Sequence, residues 1–203
     1  MKTGAVVLAA GLSSRMKSFK PMLPLAGSTV IKTAISTLRA AGVTTIVVVT
    51  GNNAEALCKH LSDVDVECVY NEIYASTDMY YSACMGLNHI RDKTGRVFFL
   101  PCDVPLFSRQ SLVAMMEYMD RSSCSILIPA HRGEKGHPVL IKNDAIPQIV
   151  SHKGEGGLGG AIEAFIGIKD VIELPDAGIT MDADNPDDYK RLQCYAKSIS
   201  KQT

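Results

Sequence analysis

The chain has 203 residues, 46% of them hydrophobic, and its 21 basic side chains balance its 21 acidic ones at a formal net charge of zero. This length is within the range of one domain, and such a chain can bury a core without disulfides. A neutral chain has no overall positive field, which disfavours binding by bulk attraction to nucleic acid or to an acidic membrane surface. Anion binding must therefore rely on local clusters of cations.

The six cysteines are scattered along the chain, and none forms a CxxC pair. We interpret them as reduced, mostly buried thiols, which are typical of cytosolic proteins. A strand pattern begins at Gly4 without a charged and then apolar leader, and no apolar run approaches the roughly 18 residues of a membrane span. We expect a cytoplasmic protein with no membrane or nucleic-acid partner.

Short apolar runs rich in β-branched residues recur along the chain, and they are typical of strands buried on both faces of a sheet. The predicted strands cover residues 5–10, 45–50, 66–70, 97–100, 125–129 and 139–141. Helical patterns between and after them cover residues 29–41, 53–61, 80–90, 108–119 and 161–165. Ser28 is the predicted cap of the first helix, and Asn185 and Pro186 begin a last one. The alternation predicts one α/β domain over residues 1–203, with a largely parallel sheet and helices on both faces.

The first predicted strand ends in a loop rich in cations. Gly11 is followed by Arg15, Lys17 and Lys20, and backbone donors and cations in such a loop can hold phosphates. The loop comes close to a Walker A sequence, but Met16 stands where the second glycine is needed, which disfavours a P-loop kinase. The alternative is an ordinary strand-to-helix loop with surface cations.

A second polar motif, Pro101-Cys102-Asp103-Val104-Pro105, follows the strand predicted at residues 97–100. Ligands of open α/β sheets bind beyond the carboxyl ends of the strands, and a carboxylate there suits Mg²⁺. The alternative is a turn aspartate that bonds its own backbone. We interpret Cys102 as a packed thiol rather than a nucleophile, because the adjacent acid raises a thiol pKa.

Near the carboxyl end, Asp182 and Asp184 lie on one side of a predicted extended segment, because side chains alternate along a strand. One of them could share a metal with Asp103. Asp184 is well placed to cap the last helix, so Asp182 is the preferred ligand.

Two further stretches are candidates for contact with a substrate. The glycine-dense segment 154–160 could present backbone N–H groups to an anionic or bulky substrate, or it could be a flexible surface loop. His137, before Pro138, could contact a substrate or be merely structural.

Together these motifs resemble those of the molybdenum-cofactor nucleotidyltransferases. The resemblance rests on four ordered motifs, at residues 8–20, 101–105, 136–140 and 182–188. It implies a three-layer α/β/α Rossmann-like nucleotidyltransferase fold with a mostly parallel mixed sheet. The cytidylyl-transferring branch of the family is the most similar, because its members carry alanine at the position of Ala10, where guanylyl-transferring relatives usually carry glycine.

The resemblance implies transfer of CMP from CTP to the phosphate of a molybdopterin-type acceptor, with Mg²⁺ as cofactor and release of pyrophosphate. The implied catalytic residues are Arg15, Lys20 and Asp103, and the implied metal ligands are Asp103 and Asp182. The implied nucleotide-binding residues are Leu8, Ala9, Ala10, Gly11, Leu12, Ser13, Ser14, Arg15, Lys20 and Ser82. The implied acceptor-binding residues are Gly136, His137, Pro138, Gly157 and Gly159.

Two departures from the family pattern leave the choice of nucleotide and acceptor open. Lys17 and Asp78 stand where many relatives have glycine. The alternatives are guanylyl transfer, transfer to a sugar or polyol phosphate, and a non-catalytic protein that only binds the cofactor. A molybdoenzyme or a chaperone is a possible partner under this resemblance, and the oligomeric state is left open.

Overall fold

The computed structural model describes residues 1–11 and 18–199. An eight-stranded sheet runs through these residues, in the order β10-β7-β9-β6-β1-β4-β5, with β8 paired to β7. Its strands are β1 (Thr3–Ala9), β4 (Thr45–Thr50), β5 (Glu67–Tyr70), β6 (Arg96–Pro101), β7 (Ile126–His131), β8 (Glu134–Lys135), β9 (Val139–Lys142) and β10 (Lys169–Glu173). A separate hairpin joins β2 (Pro24–Leu25) to β3 (Ser28–Thr29).

The sheet is mostly parallel, as predicted. β1 pairs in parallel with β4 and β6, and β4–β5 and β7–β10 are parallel as well. Strand β9 runs antiparallel between β6 and β7, and β8 runs antiparallel to β7. The mixed α/β fold is thereby confirmed.

Helices cover both faces of the sheet. They are α1 (Val30–Ala40), α2 (Ala54–His60), α3 (Met79–Ile90), α4 (Arg109–Arg121), α5 (Ile146–Val150), α6 (Gly157–Glu163) and α7 (Pro186–Ile199). Apolar side chains of α1, α2 and α4 form one core cluster with the sheet, and those of α3, α5 and α6 form another. Alternation along β1 explains the division, because Val7 faces the first cluster and Val6 and Leu8 face the second. A smaller third cluster seats α7 against Leu25 and Leu106.

Several local predictions differ from the structure. Ser28 belongs to the β2–β3 hairpin and does not cap α1, which begins at Val30. Helix α6 begins at Gly157 rather than Ala161, because its glycines form its first turn and Ala161 and Ile162 are the buried anchors. Strand β10 was not predicted, because it is an edge strand with polar residues and with Val171 half exposed. Helix α5 is too short to show a helical period.

All six cysteines are free, but the prediction that most are buried is wrong. Cys102 and Cys124 are buried, Cys58 and Cys84 are partly buried, and the other two are exposed. Among the residues that the structure describes, no helix is long and apolar enough to span a membrane.

Candidate active site

Two adjoining cavities lie where β1 and β6 end. The first cavity, of about 570 Å³, is lined by Leu8, Ala9, Ala10, Gly11, Lys20, Pro21, Tyr74, Ala75, Thr77, Asp78, Met79, Ser82, Pro101, Cys102, Asp103 and Asp184. The second cavity, of about 500 Å³, is lined by Leu8, Asp78, Met79, Tyr80, Ala83, Phe99, Pro101, Ile128, Lys135, Gly136, His137, Val139, Gly156, Gly157, Leu158, Gly159, Ile162 and Glu163. Four lining residues are common to both, so the cavities meet at the start of α3 and at the ends of β1 and β6.

Strand register explains why distant motifs meet in the first cavity. Leu8 of β1 pairs with Pro101 of β6, and the Cys102 amide donates to the Leu8 carbonyl oxygen at 2.9 Å. The segments that follow β1 and β6 therefore leave the sheet side by side, which brings Gly11 and Asp103 to the same cavity. The sequence predicts that the loops at residues 11–20, 50–53 and 101–105 share one cleft, because all three follow strands. Gly11, Lys20 and residues 101–103 line the first cavity, whereas none of residues 50–53 lines either cavity.

A partly buried cluster of ion pairs lies at the wall of the first cavity. The Lys20 ammonium donates to Asp103 Oδ2 at 3.1 Å and to Asp184 Oδ1 at 2.8 Å. The side chain of Lys20 is 12% exposed and that of Asp103 is 21% exposed, so water screens this cluster only in part. Burial opposes the charge on Lys20, but the two carboxylates outweigh it and raise the pKa of the ammonium. Lys20 therefore stays charged at neutral pH.

Two local structures hold this cluster together. Lys20 begins a single 3-10 turn whose Pro21 is buried, with Phe19 packed on the core. Asp184 stands between the fully buried Ala183 and the start of α7. Asn185 caps that helix, since its Oδ1 accepts from the amides of residues 187 and 188 at 2.9 and 3.0 Å.

Asp184, rather than Asp182, reaches Lys20 and the first cavity. Asp182 was preferred on the argument that Asp184 is needed as a helix cap, and Asn185 fills that role instead. Asp182 is exposed beside the cluster. Partial burial and the neighbouring charges of Asp184 and Asp103 raise the pKa of Asp182. The three carboxylates therefore form a field that disfavours further negative charge.

The predicted nucleotide-binding residues fall into two groups. Leu8, Ala9, Ala10, Gly11 and Ser82 line the first cavity together with Lys20. Four others, Leu12, Ser13, Ser14 and Arg15, lie outside the described residues, as does the departure at Lys17.

Asn71 is a residue that the sequence analysis missed. It is fully buried, and its Nδ2 donates to Thr77 Oγ1 at 3.1 Å and to Ser82 Oγ at 3.0 Å. Its Oδ1 accepts from the Ile73 amide at 3.1 Å. These bonds shape the loop that carries Tyr74 and Thr77 into the first cavity. Its position in the sequence could have indicated a site residue, because Asn71 follows directly after a parallel strand.

The departure at Asp78 has a structural explanation. Asp78 is the N-cap of α3, and its Oδ1 accepts from the Tyr81 amide at 2.9 Å. An aspartate at this position satisfies a helix amide and suits the positive end of the helix. Asp78 also lines both cavities, so it places a carboxylate at their junction.

Four of the five predicted acceptor-binding residues line the second cavity: Gly136, His137, Gly157 and Gly159. The fifth, Pro138, is buried and does not line it. Burial lowers the pKa of His137, so its ring is neutral at pH 7. Among the described residues, Nδ1 of His137 is buried without a hydrogen-bond partner.

The glycines of the second cavity have different roles. A Cβ on Gly136 would lie 2.3 Å from the Ile179 carbonyl oxygen, so this glycine permits close backbone packing. A Cβ on Gly159 would meet nothing within 4 Å, so this glycine leaves space open. The amides of Gly157 and Gly160 already bond to the carbonyls of Gly154 and Gly156, which leaves fewer donors for an anion than a bare glycine loop would offer.

Cys102 is a wall residue rather than a nucleophile. It is 7% exposed, and burial and the charge of Asp103 raise the pKa of its thiol far above neutrality. This agrees with the interpretation of a packed thiol. Within residues 1–11 and 18–199, no three His, Cys, Asp or Glu side chains are grouped so that they could hold a metal ion by themselves.

Comparison with known proteins shows which proteins the chain resembles. The chain is 32% identical over 158 residues to the bifunctional protein GlmU of Brevibacillus brevis, a match that covers 75% of this chain and 34% of GlmU. The chain thus spans about a third of the length of that relative. It is 25% identical to the molybdenum cofactor cytidylyltransferase of Escherichia coli over 185 residues, which cover 91% of this chain and 92% of that protein.

The fold also matches that of a solved nucleotidyl transferase from Methanothermobacter thermautotroptrophicus. The TM-score is 0.82 at 23% identity, with 98% of this chain and 99% of the other covered. The sequence profile of the MobA-like NTP transferase domain matches residues 5–169, which include the ends of β1 and β6. The chain therefore belongs to the MobA-like NTP transferase domain family.

Proposed function

We propose that this protein transfers CMP from CTP to the phosphate of a molybdopterin-type acceptor and releases pyrophosphate. The observation that carries the proposal is the contact of Lys20 with Asp103 and Asp184 in a cavity that opens into a second one. Group transfer between two substrates needs two adjoining sites with charge-neutralising groups near one of them. The Escherichia coli relative, which matches over nearly its whole length, supports this choice of substrates.

In this reaction an oxygen of the acceptor phosphate attacks the α-phosphorus of CTP. A new P–O–P linkage forms, and the bond from the α-phosphorus to the bridging oxygen breaks, so that pyrophosphate leaves with that electron pair. Such transfers depend on positioning and electrostatic stabilisation rather than on a covalent nucleophile. Lys20 would neutralise charge on the α-phosphate, and the carboxylates of Asp103 and Asp184 hold its ammonium at the cavity wall.

The carboxylate set fits Mg²⁺. The carboxylates of Asp103 and Asp184 contact Lys20, and burial together with the charges of Asp184 and Asp103 raises the pKa of Asp182 beside them. Carboxylate oxygens are the ligands that Mg²⁺ prefers, with phosphate oxygens and water completing its shell. We assign Asp103 and Asp184 as its protein ligands, in place of the Asp103 and Asp182 pair that the family resemblance implies. When bound, the ion would neutralise phosphate charge.

The choice of CTP rests on Ala10. Its side chain belongs to the wall of the first cavity and is 9% exposed. On this proposal, the methyl group of Ala10 would occupy space that a purine needs. Guanylyl transfer and transfer to a sugar or polyol phosphate use the same arrangement of loops and remain the alternatives. A non-catalytic cofactor binder is disfavoured, because it would have little need for an ammonium clamped by two carboxylates.

The second cavity would take the organic part of the acceptor. Its walls are largely apolar, and Gly159 leaves open space beside Ile162. The cavity meets the first one at Leu8 and Pro101, so an acceptor seated there could direct its phosphate towards the bound nucleotide. After the transfer, the product would be delivered to a molybdoenzyme or handed to a chaperone.

A pyrophosphate-release assay tests the proposal. The purified protein is incubated with Mg²⁺, with either molybdenum cofactor or a sugar phosphate as acceptor, and with each of CTP, GTP, ATP and UTP in turn. We expect pyrophosphate release with CTP and formation of the cytidine dinucleotide of the cofactor. Release with GTP instead would overturn the nucleotide choice, release only with a sugar phosphate would overturn the acceptor, and cofactor binding without any release would identify a binder.

A further inference from the structure

Tyr80 links α3, whose first residue lines both cavities, to the end of α5. It is the second residue of α3, directly after Met79, which lines both cavities. Its own side chain lines the second cavity and packs against the core cluster beneath α3, α5 and α6. The Tyr80 hydroxyl therefore lies next to the first turn of a helix that borders both sites.

The Tyr80 hydroxyl binds the chain at the end of α5. It lies 2.6 Å from the Ile149 carbonyl oxygen and 3.0 Å from the carbonyl oxygen of His152. A phenol has one hydrogen, so it donates chiefly to Ile149 and only weakly to His152. Carbonyls in the last turn of a helix lack full partners within the helix. The Ile149 carbonyl also accepts from the His152 amide at 3.3 Å, and the Tyr80 hydroxyl is its shorter, side-chain partner. Burial raises the pKa of Tyr80 to about 12, so the hydroxyl remains a donor at neutral pH.

From His152 the contacts continue into the glycine segment. The rings of Tyr80 and His152 meet edge to face with centroids 6.2 Å apart, and His152 Nε2 lies 3.0 Å from the Glu155 carbonyl oxygen. Gly154 passes close to the Tyr80 ring, because a Cβ there would lie 3.4 Å from it. Its carbonyl accepts from the Gly157 amide at 2.9 Å, at the first residue of α6. Gly156, Gly157 and Gly159 form what we call the glycine wall of the second cavity. Contacts of Tyr80 with His152 and Gly154 connect this wall to α3.

We propose that Tyr80 is a positioning residue of the acceptor site, which holds the glycine wall of the second cavity against the helix that borders the nucleotide. The proposal rests on the proposed function only in taking the second cavity as the acceptor site. Without the tether, residues 151–157 lose their link to α3 and the cavity loses its defined width. Acceptor binding then weakens, whereas nucleotide binding in the first cavity, which Tyr80 does not line, is unaffected.

The test compares Tyr80→Phe with Tyr81→Phe. Tyr80→Phe keeps the ring and removes the hydroxyl, so the Ile149 carbonyl loses its side-chain donor at 2.6 Å and keeps the longer bond from the His152 amide at 3.3 Å. Tyr81 is the next residue, is 43% exposed and lines neither cavity, so Tyr81→Phe is a matched control. KM values for CTP and for the acceptor are measured by pyrophosphate release, with molybdopterin as acceptor and with glucose 1-phosphate as a second one.

Loss of a partner for a buried carbonyl predicts about a tenfold rise in acceptor KM for Tyr80→Phe. We expect the KM for CTP to stay within about twofold, and Tyr81→Phe to match the wild type. Hydrogen exchange of residues 151–157 should rise in Tyr80→Phe alone. An unchanged acceptor KM, or an equal rise in both KM values, would overturn the proposal and leave Tyr80 with a purely structural role.

Failure of the proposed function gives a different pattern. If the wild type releases pyrophosphate only with glucose 1-phosphate, the molybdopterin assignment fails and the KM comparison for Tyr80 proceeds with that acceptor. If no pyrophosphate is released, fluorescence titration with molybdopterin replaces KM by Kd, and a Kd that Tyr80→Phe leaves unchanged overturns the role of Tyr80. A wild type that binds neither probe overturns the acceptor site and Tyr80 together.

Discussion

The two cavities are built from different kinds of groups. In the first, the ionisable side chains of Lys20 and Asp103 are largely buried and contact each other. In the second, Asp78, Lys135 and Glu163 are exposed and burial keeps the His137 ring neutral. The rest of its wall consists mainly of apolar side chains and of backbone that glycines bring close. The difference indicates a division of labour, in which the first cavity neutralises charge and the second selects by shape. The predictions below test that division, from the largest expected effect to the smallest.

Asp103→Asn removes one charge from the first cavity and keeps the shape of the side chain. We expect kcat to fall by roughly 100- to 1000-fold, in the range seen when a preorganised charge contact is lost. Pyrophosphate release with saturating CTP measures it. The control is Asp63→Asn, which breaks the surface contacts of Asp63 with Lys32 at 2.6 and 2.8 Å and should leave kcat unchanged. Near-normal turnover of Asp103→Asn would show that the charges of the first cavity are not used in catalysis.

Gly136→Ala should destabilise the wall of the second cavity. The new methyl group would lie 2.3 Å from the Ile179 carbonyl oxygen, so the backbone must shift. We expect the free energy of unfolding to fall by about 1–3 kcal/mol, measured by urea denaturation. Gly159→Ala is the matched control, because its methyl group meets open space in a helix and should leave stability unchanged or slightly higher. Equal stability of the two variants would contradict the distinction between these glycines.

Gly159→Leu fills the second cavity without a clash against the described residues near its Cβ. We expect the acceptor KM to rise about tenfold and the KM for CTP to stay constant, since steric discrimination in an apolar pocket is of this size. Gly159→Ala should give an intermediate acceptor KM. A rise in the KM for CTP instead would mean that the second cavity holds part of the nucleotide.

Asp182→Asn should give the smallest effect, a modest rise in Tm at pH 7 without divalent cations. The pKa of Asp182 is raised in the folded protein by partial burial and by neighbouring carboxylates, so its ionised form destabilises the fold. This destabilisation is present above the raised pKa and disappears as pH falls below the ordinary pKa of aspartate. The Tm difference from the wild type should therefore shrink on acidification.

Asp187→Asn serves as the control for that measurement, because its carboxylate makes an exposed contact with Lys190 at 3.0 Å. Removing it should not raise Tm. A Tm of Asp182→Asn that equals or falls below that of the wild type at pH 7 would contradict the electrostatic explanation.

Prediction from the sequence succeeds where the signal lies in neighbouring residues of the chain. Strand β4 matches its prediction at both ends, and β1 and β6 match to within two residues, because strands buried on both faces appear as continuous apolar runs. Asp103 could be assigned to the cleft because ligand sites lie beyond the carboxyl ends of such strands. β10 escaped prediction because an edge strand needs no such run.

Residues that act through distant contacts could not be predicted in the same way. Asp184 and Asp182 are equivalent in the sequence pattern, and only the packing of Ala183 and the start of α7 directs Asp184 to Lys20. Tyr80 is one aromatic residue on an amphipathic helix until its hydroxyl is seen at the end of α5, 69 positions away. The same holds for Gly136 and Gly159, whose different environments depend on which segments pack beside them.

By itself, the sequence determined the α/β class, the positions of the central strands along the chain and two of the loops that meet at the edge of the sheet. These follow from hydrophobic periodicity and from the direction of parallel strands, which are local properties of the chain. Only the tertiary structure decided which carboxylate pairs with Lys20, which glycine leaves space open and which tyrosine links α3 to the end of α5. Those outcomes depend on contacts between residues far apart in the chain, and packing alone sets such contacts.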